Sequence, residues 1–256
     1  MPVPGLDRLT LHFPDLTTIA GRLRLGLIGF VAFALPFAAM LGLDARWPGW
    51  TLAGPLAVIA AAYFTLRQFF HRRARLRTRH GDAAYARAFT AFALPGVSMI
   101  WAAILHTPVM PGPRIWSGWP AAAAAAAGVY LALTGVALFA RAILHFGFDN
   151  LAMLYVYFPA KGRLVESAVY GFLRHPAYSG VVRLGLALGL WRGTWAAVTF
   201  GLFVPLGLTV WLRTVEEREL VARFGDGYSE YRRRTPAFFP RTRDTLRFWR
   251  FLALGQ

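Results

Sequence analysis

Six apolar stretches of bilayer-spanning length set the limits on how this chain can fold. They run over residues 25–43, 50–66, 88–105, 120–140, 177–190 and 195–212. A hydrocarbon core of about 30 Å takes about 20 apolar residues per helical crossing. The fifth stretch is short, and Trp191-Arg192-Gly193-Thr194 makes a tight turn before the sixth, so the last two read as a helical hairpin. The chain is 57% hydrophobic, yet it carries 28 Lys+Arg against 12 Asp+Glu, a formal charge of +16. A nucleic-acid binder is basic but not this apolar. A polytopic membrane protein is both, because its loops hold the charge. No partnership with nucleic acid is expected.

The position of the bases gives the orientation. The segments before residue 25, from 67 to 87, from 141 to 175 and from 213 to 256 hold 24 of the 28. The intervening loops hold only Arg46, Arg114 and Arg192. Basic loops stay in the cytoplasm, so both termini are expected there, which requires an even number of spans. The run Arg67 to Arg79, with six arginines, reads as a topology anchor against anionic headgroups. Pro2, Pro4, Pro14 and charged groups crowd the first 24 residues, and no cleavable signal peptide is expected. Lys161 is the only lysine, and that arginine bias, with no compartment signal, points to a bacterial inner membrane. The expected fold is all-α: a polytopic transmembrane helical bundle of about six spans, with membrane lipids around it and a cytoplasmic C-terminal amphipathic helical region. It is expected to be a single membrane domain over 1–256. A four-span part (1–140) precedes a cofactor-binding catalytic part (141–240) and a basic tail (241–256).

Several local features carry their own readings. Ala121–Ala127, seven alanines, reads as a close-packed helix face. Residues 145–175 are not a span, because Asp149, Asn150, Pro159, Lys161, Arg163 and Glu166 interrupt the apolar pattern and aromatics interleave with them. From 213 the chain turns amphipathic, with Val215, Leu220, Val221 and Phe224 at helical spacing. Gly225 is expected to end that helix in the αL conformation, and a second short helix through Tyr228 and Tyr231 ends before Pro236.

The chemistry concentrates at Arg174-His175-Pro176-Ala177-Tyr178-Ser179-Gly180 and, further on, Glu216-Glu217. Ionisable groups at a membrane edge are costly and mark functional sites. Pro176 suits a first helical turn, and Gly180 lets another group approach the backbone. If the hairpin closes, Glu216 and Glu217 return to face Arg174 and His175. Apart from the motif, Arg174 reads first as a topology anchor; Glu216-Glu217 has a solvated helix start as its plain alternative, but acids at a membrane exit point to function; Tyr228 and Tyr231 read equally as interfacial packing or ligand contacts. Arg183, inside a span, needs a polar partner, a snorkelling route or a site role. The spacing of His145 and Asp149, four apart, would let them share a helix face or border a pocket in the same cytoplasmic segment; no His-rich cluster completes a metal site there, and none is expected elsewhere. His106 falls on the opposite side. The chain has no cysteine, hence no thiolate ligand or nucleophile.

The ordered set resembles the membrane-embedded methyltransferases of the isoprenylcysteine carboxyl methyltransferase and phospholipid methyltransferase superfamily. It comprises Leu164-Val165, Val169-Tyr170, Arg174 to Gly180, Glu216-Glu217, Leu220, Phe224-Gly225, Tyr228, Tyr231, Arg234 and Pro236. The resemblance covers Leu164 to Pro240; Ala168 stands where the family often has glycine, and the first three spans show no family motif. The resemblance implies S-adenosylmethionine as cofactor, in a cytoplasmic pocket lined by Leu164, Val165, Tyr170, His175, Pro176, Tyr178 and Gly180. Glu216 or Glu217 would hold the cofactor's amino or hydroxyl groups, or buttress Arg174. His175, Arg174, Glu217 and Arg234 would form the catalytic set. Tyr228, Tyr231, Arg234, His145 and Asp149 would lie toward a lipophilic small-molecule or lipid acceptor: a phospholipid amine, a carboxylate or a thiol. His175 would be either a base or only a cofactor contact. Two other functions fit a chain of this kind. One is a membrane reductase of sterol-like or isoprenoid substrates using NADPH. The other is a small transporter or lipid-binding assembly factor, which the scarcity of polar residues in spans one to four disfavours.

Overall fold

A computed structural model describes residues 4–159 and 164–255; Lys161 and Arg163 lie outside the described residues. The architecture is all-α. Six helices run alternately up and down: α1 (Ile19–Arg46), α2 (Ala53–His71), α3 (Leu94–His106), α4 (Gly118–Phe146), α5 (Pro176–Arg192) and α6 (Trp195–Trp211). Three amphipathic helices follow: α7 (Glu217–Phe224), α8 (Asp226–Arg234) and α9 (Thr245–Leu254). Because the six alternate, residues 147–159, 164–175 and 212–255 lie at the end of the bundle that also holds residues 4–18. The arginine-rich segments share that end.

Among the described residues, five helical stretches are long and apolar enough to cross a membrane: Ile19–Arg46, Ala53–His71, Arg73–Val109, Gly118–Phe146 and Trp195–Phe224. The third is not one smooth helix, since a π-turn at Phe89–Ala93 interrupts it just before Pro95. The sixth member, α5, has 17 residues and a mixed composition. It tolerates Ser179, Gly180, Arg183, Gly185 and Gly189 because all five are buried inside the protein. The apolar exterior lies instead on α1, α4 and α6, where Leu27, Phe30, Leu35, Leu133, Val136, Leu202 and Leu206 are exposed.

Small residues on α5 let its neighbours come close. A Cβ on Gly180 would fall 2.7 Å from the Gly135 carbonyl oxygen of α4, and one on Gly135 would fall 2.9 Å from the Gly180 oxygen. Gly189 meets the Ala197 oxygen of α6 in the same way, at 2.7 Å. Without water to drive association, close backbone packing is what holds membrane helices together. Gly180 therefore serves helix contact here, and the approaching backbone is α4. The alanine run does not do this work. Ala121–Ala127 are all partly or fully exposed, while the buried face of α4 is Gly128, Gly135, Leu138 and Ala142.

Arg183 is 3% exposed and finds its partners in the C-terminal segment. Its guanidinium donates to the Ser179 hydroxyl and to the Phe238 carbonyl at 3.2 Å, and it lies over the rings of Phe239 and Phe248 at 5.1 and 5.9 Å. Ser179 also donates to the Phe238 carbonyl. In α9, Phe248, Phe251 and Leu252 pack with Leu138, Val169, Tyr170 and Leu173. These contacts hold residues 235–238 against the start of α5. At the other end of the bundle, His106 Nε2 and Asp44 Oδ2 meet at 2.9 Å, both buried.

Gly180→Ala places a methyl group against backbone and forces α4 and α5 apart. It is expected to destabilise by about 1–3 kcal/mol, read as a lowered Tm of the purified protein in nanodiscs, whereas Gly42→Ala, whose Cβ would meet nothing within 4 Å, leaves the Tm in place.

Candidate active site

The site forms where α5 begins and α6 passes into α7. His175 is the N-cap of α5 in a non-helical conformation (φ −130, ψ 65), with Pro176 at the first helical position. The residues before it are pinned by the C-terminal segment: the Arg174 N–H donates to the Pro236 carbonyl at 2.9 Å and the His175 N–H to Ala237 at 3.3 Å. Upstream, Ala168 adopts φ +54, the left-handed region that favours glycine. Glycine would enter this conformation freely, and alanine holds it with some strain.

On the other side, the end of α6 is wound as a π-turn over Leu212–Glu216. Such a turn pairs backbone groups five apart, here the Glu217 N–H with the Leu212 carbonyl; beside it the Trp211 indole N–H donates to Glu216 Oε2 at 3.1 Å. The Tyr178 hydroxyl donates to the same oxygen at 2.6 Å. Glu216 Oε1 lies 3.7 Å from His175 Nδ1.

Glu217 looks the other way. Its Oε1 accepts from Arg174 Nε at 2.6 Å and lies 3.3 Å from His175 Nε2, while Arg232 stands 3.8 Å from its Oε2. Arg174 also donates to the Thr235 carbonyl at 2.7 Å. The Tyr228 hydroxyl sits 3.4 Å from His175 Nε2, and the Tyr231 hydroxyl donates to the Tyr170 carbonyl at 2.7 Å. Burial, and then the carboxylates of Glu217 and Glu216, push the Tyr228 phenol above its usual range, so it stays a neutral hydrogen-bonding group. Burial first raises Tyr155 and Tyr170 as well.

These groups border a cavity of about 430 Å³. Its outer part is lined by Leu164, Val165, Tyr170, Arg174, His175, Pro176, Tyr178, Glu216, Tyr228 and Tyr231. Its inner part is a hydrocarbon-lined chamber between α2, α3, α5 and α6, walled by Leu56, Ile59, Ile100, Trp101, Ile104, Val181, Phe200, Phe203 and Leu208. Trp211 marks the junction. From Trp211 to Phe200 the chamber follows α6 for roughly 16 Å at 1.5 Å per residue.

Not every sequence-predicted residue reaches this cavity. Glu217 is 3% exposed and stands behind Arg174 and His175. Gly180 faces α4. Arg234 pairs with Glu166 on the surface, its side chain 55% exposed. His145 Nδ1 lies 2.8 Å from the Arg141 carbonyl, and its ring packs on Phe251. Asp149 is buried against Gly5 and Gly147, with Arg8 at 3.4 Å. Gly225 ends α7 with φ 58 and ψ −132, a conformation outside αL that only glycine enters readily. Tyr155, Trp211 and Arg223 also line the cavity and escaped the sequence reading. Each had a signal: Tyr155 stands in the aromatic-rich segment, Trp211 five residues before Glu216, and Arg223 two helical turns after it.

Comparison with known proteins points the same way. The model of the phospholipid methyltransferase family matches residues 123–227. A Protein-S-isoprenylcysteine O-methyltransferase from Schizosaccharomyces pombe is 31% identical over 77 residues, which is 30% of this chain and 33% of the relative. The chain thus matches about a third of that relative's length. No solved structure matches. These matches bear out the resemblance to the membrane methyltransferase superfamily, and the family match begins one helix before Leu164, within α4.

The two adjacent carboxylates are expected to separate on mutation. Glu217→Ala strands two cationic or hydrogen-bonding partners in a buried place and should cost about 3 kcal/mol. Glu216→Ala frees only groups that face the cavity and should cost about 1 kcal/mol. Unfolding of both variants without ligand, followed by intrinsic fluorescence, measures the difference.

Proposed function

We propose that this chain is an integral membrane methyltransferase that uses S-adenosylmethionine to methylate a lipophilic acceptor. The observation that carries this reading is the position of Glu216. Its carboxylate borders the cavity where the polar mouth gives way to the apolar chamber, held by Tyr178 and Trp211. A cationic ligand at the mouth and a hydrocarbon tail inside would then meet at one point.

The lining residues fit the cofactor by their chemistry. Glu216 offers an anion for an ammonium or sulfonium group. Tyr170, Tyr178, Tyr228 and Trp211 offer ring faces to a cation and to a purine. When bound, S-adenosylmethionine supplies a methyl group on a cationic sulfur. The protein's own work is then positioning and exclusion of water, and well-oriented reactants gain about 7–11 kcal/mol from proximity. Arg174 and Glu217 hold the first turn of α5 to α7, so that both walls of the mouth keep their spacing.

His175 reads as a wall of this pocket. One ring nitrogen lies 3.3 Å from Glu217 and the other 3.7 Å from Glu216. With both nitrogens turned to carboxylates, none is turned to an acceptor as a general base must be. This favours an acceptor whose nucleophile needs no base, a carboxylate on a long apolar chain. Arginine distribution supports a site on the cytoplasmic face, within reach of a soluble cofactor.

S-adenosylhomocysteine is expected to raise the Tm of the purified protein, and NADPH is expected to leave it unchanged, since a ligand of the native state stabilises it. A shift with NADPH and none with millimolar S-adenosylhomocysteine would favour a reductase and sink this reading. The chamber has its own test. Gly207 lines it, and a Cβ there would meet nothing within 4 Å. Gly207→Phe should raise KM for a long-chain acceptor by about tenfold while S-adenosylhomocysteine still binds, measured by transfer of labelled methyl to lipid extract and by calorimetry.

A further inference from the structure

The charged side chains that line the cavity are Arg174, Glu216 and Arg223. The first two are matched within the protein, Arg174 by Glu217 and Glu216 by two hydrogen-bond donors. Arg223 is different. Its guanidinium donates to the Pro159 carbonyl and lies 5.1 Å from the Tyr155 ring and 4.9 Å from the Phe224 ring. Among the described residues it has no carboxylate within ion-pair distance. The nearby Glu219 is occupied by Arg73.

Arg223 also holds a particular place relative to Glu216. Glu216 has helical dihedrals at the head of α7, so the two are seven residues apart on one helix. That spacing is two turns, which puts both on the same face, about 10 Å apart along the axis and with long side chains to close the distance. Leu220, between them, lines the cavity too. One helix face thus presents an acid and a base to the same space. A guanidinium held between ring faces keeps a fork of donors suited to a carboxylate.

We infer that Arg223 is the docking group for the carboxylate of a zwitterionic ligand end whose ammonium is taken by Glu216. This rests on the methyltransferase reading, and the cofactor's amino-acid end is the zwitterion it fits. An acidic headgroup on the acceptor is the other source of a carboxylate.

The test is calorimetric binding to the full chain in nanodiscs, for the wild type and Arg223→Gln. The ligands are S-adenosylhomocysteine, its analogue lacking the carboxylate, and palmitate as an acid with an apolar tail. The wild type should prefer S-adenosylhomocysteine over the analogue by about tenfold or more, and Arg223→Gln should erase that preference while binding the analogue as before. Because the comparison is made within each protein, loss of folded material cannot imitate the result. Loss of palmitate affinity alone, with the preference intact, assigns the carboxylate to the acceptor. Unchanged binding of all three ligands in Arg223→Gln overturns the assignment. A wild type that binds neither nucleoside overturns the methyltransferase reading and this inference with it. A wild type that binds both equally overturns the inference alone.

Discussion

One carboxylate oxygen holds the functional end of this protein together. Glu217 Oε1 accepts from Arg174 and approaches His175, and so ties the residues entering α5 to those leaving α6. The charges involved are largely withdrawn from water, which is costly unless each finds its counterpart. Here each does, with the Thr235 carbonyl taking a second donor from Arg174. Around that knot the C-terminal segment closes, the Tyr228 hydroxyl comes to the imidazole, and Glu216 is left free to face the cavity. The adjacent acids therefore divide their labour: one maintains the architecture, the other meets whatever enters.

The π-turn at Leu212–Glu216 makes that division possible. In a regular helix, neighbouring residues point about 100° apart. The wider turn brings Trp211 beneath Glu216 and lets Tyr178 reach the same oxygen. A carboxylate fixed by two donors loses little further freedom on binding a cation, which is the entropic advantage of a prepared site.

The sequence made the bundle legible because lipid imposes length and polarity on every exposed helix, and because the arginines mark one end of it. The motif residues at 174–180 and 216–217 were legible as a cluster, since a hairpin has only one way to bring them together. Less visible were the roles that depend on what lies across a helix interface. Gly180 looks like a place for a ligand until the Gly135 carbonyl is found opposite it. Arg234 looks like an anion receptor by position, yet it turns outward to Glu166, while Arg223 turns inward. Side-chain direction on α7 and α8 is set in part by packing against Tyr155 and Tyr170, which lie more than fifty residues away in sequence.

The buried glycine-bearing helix α5 has a consequence for counting. A helix wrapped by its neighbours is released from the demand for a greasy exterior, so α5, short and mixed in composition, falls outside the five long apolar stretches. Skipping it leaves an odd number of crossings and sends the two chain ends to opposite sides of the bilayer. Arg174 and Glu217 would then be parted by roughly 30 Å of hydrocarbon, yet they are bonded at 2.6 Å. That single short distance requires an even number of crossings between the two residues, and so makes α5 and α6 a spanning pair.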